Sequence, residues 1–198
     1  MPILRPSAPI ARRSTSTIRS WRRPIRFPPR PPGTKKLPDN FTIRAYTEAD
    51  AEAVVALARE LQEHEGRVFD RLKPPESIGR WYVDGLLKEV QTHGGVLLVA
   101  ANGNGIAGYA NLLIGLSSAD EPEEVPYTFA HVSDLCVGTA YRGNGIGQAL
   151  MAECERRATA AGEKWLRLDV LAGNHSARKF YSNLGMEELF LTLEKKLM

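Results

Sequence analysis

The stretch CVGTAYRGNGIGQALMAEC, residues 136–154, decides how the rest of the chain is read. It begins at the end of a β-rich run, YTFAHVSDLCV. After four further residues, Gly138–Tyr141, a glycine-rich corner opens directly into an amphipathic helix. Glycines 143, 145 and 147 let the backbone turn sharply and aim several N–H groups at one point. The helix start adds partial positive charge and Arg142 a formal one, so the corner is suited to an anion such as a diphosphate. The tetrapeptide GNGI also occurs at Gly103–Ile106, between the β-rich runs VLLVAA and AGYANLLIGL, where its Asn/Gly content predicts a hairpin turn. The flanks separate the two copies.

Two better-known phosphate loops do not fit the corner. A dinucleotide fingerprint needs a third glycine where Gln148 stands, and a P-loop needs Gly-Lys-Ser/Thr, which is absent. What remains is Arg-x-x-Gly-x-Gly between a strand and a helix, formed by Arg142, Gly145 and Gly147.

The surrounding elements follow from periodicity. Phe41, Ile43 and Ala45 alternate as in a strand, and Thr47 with Asp50 resembles a capping box. Val54, Leu57, Ala58 and Leu61 have helical spacing up to Gly66, and a second helix within PPESIGRWYVDGLLKEVQTH stops at Gly94–Gly95. An acidic loop, SSADEPEEVP, separates the hairpin from the fourth strand. The helix after the corner buries Ile146, Leu150, Cys154 and Ala158. A strand KWLRLDVL, a helix NHSARKFYSNL ended by Gly185 and a last strand EELFLTLEKKL complete the order βααββ–βαβαβ. Strand–helix–strand at the corner implies a parallel crossover, so the fold class is α/β with a mixed sheet.

The strand–corner–helix unit and the segment LRLDVLAGNHSARKFYSNLGM together resemble the GNAT superfamily of N-acetyltransferases over roughly residues 41–197. Asn174, Ala177, Phe180, Tyr181 and Gly185 match its second half, and Met186 stands where the family usually has Phe. The resemblance implies a GNAT fold: a mostly antiparallel sheet whose parallel fourth and fifth strands splay apart, with flanking helices. It implies acetyl-CoA as co-substrate, with Arg142, Gly143, Asn144, Gly145, Ile146 and Gly147 at the pyrophosphate and Asn174 beside the cofactor. Backbone groups near Leu135 and Val137 would meet the thioester end and the pantetheine amides. The implied activity is acetyl transfer to a primary amine of a small molecule or protein, by direct attack in a ternary complex. The alternative is an acyl-CoA-binding module without catalysis.

Such a reaction needs a base and an acid, because an alkyl amine of pKa about 10.4 is almost wholly protonated at neutral pH. Residues 177, 180, 181 and 184 share a helix face, so Tyr181 packs inward with a polar tip, and the resemblance makes it the acid for the departing thiolate. By period two, His131, Ser133, Leu135 and Val137 share one strand face. His131 lies eleven residues before Arg142, where several protein-lysine acetyltransferases place a catalytic Glu, and is the candidate base. Asp134 falls on the opposite face and reads as a structural hydrogen-bond acceptor. Relatives use their first helices as the acceptor wall, which points to His64, Glu65, Trp81 and Tyr82.

Composition sets the outer limits. No apolar run is long enough for a membrane helix, so no membrane partner is expected. Cys136 and Cys154 have no CxxC spacing, which suits a reducing compartment such as the cytoplasm, and the scattered histidines make no metal site. Residues 1–38 hold ten Arg or Lys, nine Pro and no acid, the composition of a disordered basic extension, whereas residues 39–198 form the acidic N-acetyltransferase domain. That extension reads as a transit peptide to the mitochondrial matrix, an early start codon or a tail that touches nucleic acid, the last disfavoured because Trp21 and Phe27 are its lone aromatic residues. The negative charge of the remainder suits a cationic amine acceptor, and many relatives form homodimers, which makes a second copy a candidate partner.

Overall fold

The carboxylate of Asp50 reaches back to the Thr47 N–H at 2.8 Å and so starts the first helical segment. Arg44 grips the same carboxylate through both terminal nitrogens, at 2.6 and 2.8 Å. This guanidinium is the main reason that the Asp50 carboxyl is pulled down to about 2. In a computed structural model that describes residues 37–121, 123 and 125–197, this junction links β1 (Thr42–Ala45) to α1 (Ala51–Gly66). The basic extension lies outside the described residues up to Lys36, as do Pro122 and Glu124 of the acidic loop.

The chain continues through α2 (Arg80–His93), β2 (Gly95–Asn102), β3 (Gly105–Ser117), β4 (Thr128–Val137), α3 (Ile146–Ala160), β5 (Leu166–Leu168) and α4 (His175–Asn183). Gly103 and Asn104 close the β2–β3 hairpin, with Asn102 Oδ1 accepting the Asn104 N–H at 2.8 Å. The first GNGI is therefore the hairpin turn that its flanks predict.

The strands form one sheet in sequence order, β1 to β5, antiparallel throughout except for the parallel pair β4–β5. Both faces are covered, which is why β2 reads as a continuous apolar run. Leu98 and Ala100 face a core with Ile146, Leu150, Met151, Cys154 and Ala158 of α3. Leu97 and Val99 face Val54, Leu57 and Ala58 of α1 and Val83 and Leu86 of α2. Among the described residues no helix is long and apolar enough to cross a membrane.

Two strand expectations need correction. KWLRLDVL is a strand only at Leu166–Leu168, and EELFLTLEKKL has no regular secondary structure. A strand exists only where a neighbour supplies its hydrogen bonds. β5 loses its neighbour after Leu168, and the last segment leaves Leu189, Phe190, Leu191, Leu193 and Leu197 exposed. Alternating apolar residues predict a strand face but cannot supply the neighbour.

Candidate functional site

One inserted residue shapes the centre of the sheet. Asn111 of β3 pairs with Asp134, but Leu112 pairs with Val132, so Ser133 is a β-bulge. Ala130 and Val132 lie in the α3-side core with Leu135 and Val137 beside them, whereas Cys136 lies in the α1–α2 core. The bulge therefore reverses the alternation. Leu135 and Val137 do not share a face with His131 and Ser133, as strict period two requires. Asp134 instead joins His131 and Ser133 on the α1–α2 side.

The bulge is held by polar groups around the buried Asn111. Glu89 of α2 accepts from the Ser133 hydroxyl at 3.0 Å and from Asn111 Nδ2 at 3.1 Å. Asn111 Nδ2 also donates to Ser133 Oγ at 2.9 Å. Pairing with β5 ends here as well: it covers Ala130–Leu166, His131–Arg167 and Val132–Leu168, and no further. Beyond Val132, β4 runs on to Val137 without a β5 partner, and this unpaired edge is the gap at which the two strands part. The Gly138 N–H donates to Ala107 O on β3 at 2.9 Å, so alternation turns the backbone groups of Val137 and Leu135 toward the gap.

The corner stands at the end of this gap. Gly143 and Gly145 have φ of 76° and 81°, a region costly for residues with a Cβ. Gly145 caps α3, its carbonyl accepting the Ala149 N–H at 3.0 Å. The start of α3 carries the positive end of its helix dipole. Gly147 plays a different part from the turn role expected of it. It lies inside α3, where a Cβ would stand 3.2 Å from Phe180 Cζ, so its value is the close approach of α4. Ile146 is buried and pins the helix start, while Asn144 is exposed. Arg142 is exposed but anchored, its Nε donating to Val137 O at 3.0 Å. An open cleft of about 600 Å³ runs between this corner and α1, lined by Glu60, Glu63, His64, Arg67, Thr139 and Arg142.

A cluster of ionisable groups gathers around Asp134. Its carboxylate accepts from the Tyr82 hydroxyl and, at 3.0 Å, from the Tyr109 hydroxyl. Burial dominates and pushes the Asp134 carboxyl up to about 6, although both tyrosines favour its charged form. Glu65, in the last turn of α1, is pushed up to about 7 by burial and then by the negative charge of Asp134. Tyr181 lies on α4 against the opposite core, its ring edge-on to Phe180 at 5.2 Å. Burial raises its phenol, and the fields of Asp134 and Glu65 raise it further. Groups on opposite faces of the sheet thus act on one another.

His131 lies lower, where β4 is still paired with β5, and its Nε2 is 3.8 Å from Asp169. Burial lowers its pKa below the usual value. Asn174 is buried and caps α4: its Oδ1 accepts from the Ala177 N–H at 3.1 Å and the Ser176 hydroxyl at 3.0 Å. Cys136 and Cys154 are free and buried, and burial pushes each thiol up to about 12. Sequence reasoning missed the partnership of Tyr82 and Tyr109 with Asp134. The available signal was the adjacent polar pair Ser133–Asp134, which breaks the alternation of β4 as a bulge does.

Comparison with known proteins gives one consistent picture. Residues 44–186 match the Acetyltransferase (GNAT) family. The chain is 30% identical over 149 residues to an uncharacterized N-acetyltransferase of Methanocaldococcus jannaschii, which is 75% of this chain and 61% of that protein. It is 35% identical over 77 residues to the uncharacterized N-acetyltransferase YycN of Bacillus subtilis, 39% of this chain and 49% of that protein. The matches thus span about half to three-fifths of the length of these relatives. A mutant of the BH1408 protein from Bacillus halodurans has a similar structure, with a TM-score of 0.71 and 26% identity over 79% of this chain and 99% of that one.

Proposed function

The chain belongs to the acetyltransferase (GNAT) family, and from that premise we propose that it moves an acetyl group from acetyl-CoA to a primary amine by direct attack. The observation that carries this reading is that β4 runs on beyond Val132 without a β5 partner as far as Val137, just before the glycine corner and the start of α3.

The residues present suit the co-substrate. Gly143 has open space where a Cβ would stand, so no side chain at that position would keep a diphosphate from the corner. Arg142 adds a cation, and Asn144, Ile146 and Gly147 complete the loop around the first amides of α3. Backbone groups of Leu135 and Val137 would hold the pantetheine arm, with Asn174 at the base of α4 beside it. Acetyl-CoA supplies an activated acetyl thioester, and this chain orients it and moves protons around it.

Tyr181 keeps its proton throughout the neutral range and donates it toward the leaving sulfur. The proton of the acceptor ammonium goes to the carboxylates on the other face, Asp134 with Glu65, which titrate close to neutrality. His131 is the competing base, set apart from the gap by its place in the paired part of β4. Neither cysteine has the low thiol pKa of an acyl-carrying nucleophile, which supports direct attack over a covalent relay. Glu63 and Glu65 on α1 give the acceptor side a negative wall suited to a cationic amine.

The test is thiol release from acetyl-CoA with a panel of amines, beside calorimetric titration with coenzyme A. Amine-dependent release that falls about a hundredfold in Tyr181→Phe is expected. Binding without turnover on any amine, with Tyr181→Phe indistinguishable, would leave a CoA-binding module without catalysis.

A further inference from the structure

The turn between β4 and the glycine corner is capped from elsewhere in the chain. Thr139–Tyr141 is a single 3-10 turn whose N-cap is Gly138, a residue with no side chain to offer. Space explains the glycine, since a Cβ there would stand 2.9 Å from Leu57 Cδ2 of α1. The amide that Gly138 leaves uncapped is taken by α1. Glu60 Oε2 accepts from the Thr139 N–H at 2.8 Å and from the Thr139 hydroxyl at 3.0 Å.

We propose that Glu60 is a positioning residue for the cofactor loop: it fixes Thr139 and thereby sets where Arg142 and the first amides of α3 point. The proposal rests on the acetyl-CoA reading above. The segment after Thr139 is short and tied at each step. Tyr141 N–H donates to Gly138 O at 2.8 Å, the Tyr141 ring meets Phe41 edge-on at 5.9 Å, and Arg142 Nε returns to Val137 O. A shift at Thr139 therefore passes to Arg142 within three residues.

Charge argues that the role is geometric. A carboxylate beside an anion site opposes anion binding through its field, so Glu60 serves the loop only by holding it. Its place on α1, in the same cleft as His64 and Arg142, also joins the acceptor wall to the cofactor loop. A rearrangement of α1 on acceptor binding would reach the diphosphate corner through this contact.

Glu60→Ala, Glu60→Gln and Gly145→Val in the full chain test the proposal by calorimetric titration with coenzyme A and by amide hydrogen exchange without ligand. Glu60→Ala should weaken coenzyme A about tenfold, raise the KM for acetyl-CoA but not for the amine, and speed exchange at Thr139–Arg142. Glu60→Gln keeps an oxygen for Thr139 and should restore affinity to within about threefold. Unchanged exchange and unchanged affinity in Glu60→Ala overturn the role. So does equal weakening in both Glu60 variants with an equal fall in Tm, which is a stability effect. If the wild type and Gly145→Val alike fail to bind coenzyme A, the acetyl-CoA reading fails instead, and unaltered exchange in Glu60→Ala still rejects the clamp.

Discussion

Tyr109 of β3 donates its phenolic hydrogen to Asp134 of β4 across 3.0 Å, and Tyr82 of α2 donates to the same oxygen. Two donors on one carboxylate normally hold its pKa down, yet burial wins and leaves Asp134 at about 6. Glu65, at about 7, adds a second carboxyl raised above its ordinary value. Both groups bind protons more tightly in the folded chain than in the unfolded one. The stability they confer is complete below about pH 4 and is lost as pH rises through 6 to 7. Thermal unfolding from pH 4.5 to 7.5 should therefore show Tm falling as pH rises. Asp134→Asn keeps an oxygen for both tyrosines and should remove part of that slope, on the order of 2 kcal/mol at pH 7. Parallel curves for the two proteins would contradict the raised pKa.

Activity should follow the opposite direction over the same range. A base works only when ionised, so amine-dependent kcat/KM should rise along a limb near pH 6 to 7. Asp134→Asn should lower kcat by about a hundredfold or more. His131→Gln, in the paired part of β4, should stay within about fivefold of wild type at pH 8. The reverse ranking would return the base role to His131.

Much of this geometry was written in the sequence, and the exceptions have physical causes. The hairpin at Gly103–Asn104, the buried face Ile146, Leu150, Cys154 and Ala158, and the strand–corner–helix unit depend on local turn chemistry and helical spacing, which a sequence displays. The face assignments of β4 depend on a register between strands. One extra residue at Ser133 reverses every later side chain, and apolar alternation cannot count it. The final segment fails for a related reason: Leu189, Leu191 and Leu193 alternate correctly but lack a pairing neighbour. Tyr82 and Asp134 are fifty-two residues apart, and only the packing of α2 on the sheet brings them together.

Gly145 separates backbone strain from packing. At φ of 81° a β-branched side chain is disfavoured, so Gly145→Val should cost about 1–3 kcal/mol and weaken coenzyme A at least about tenfold. Gly147→Ala meets the Phe180 ring instead, and adding Phe180→Leu should recover stability by removing the 3.2 Å contact. No partner substitution should rescue Gly145→Val, because its cost lies in the backbone. Urea denaturation of the four variants reads both effects, and rescue of Gly145→Val by Phe180→Leu would refute the distinction.

The bulge at Ser133 offers the sharpest separation of stability from function. Glu89 accepts from both Ser133 and Asn111, and Asn111 already has one buried oxygen, Oδ1, without a partner. Glu89→Ala removes the acceptor of the Ser133 hydroxyl, at a cost of about 1–3 kcal/mol, leaves Asn111 Nδ2 only its bond to Ser133 Oγ, and lets β4 regain regular pairing by shifting its register. Regular pairing would turn Leu135 and Val137 to the other face and close the gap. Glu89→Gln still offers a carbonyl oxygen and should preserve the bulge. Glu89→Ala should therefore lose coenzyme A binding beyond what its fall in stability explains, even at temperatures where it stays folded. Far-ultraviolet dichroism, Tm and coenzyme A titration on the two variants check this. A folded Glu89→Ala protein with wild-type affinity would mean that the gap does not depend on the bulge being held from α2.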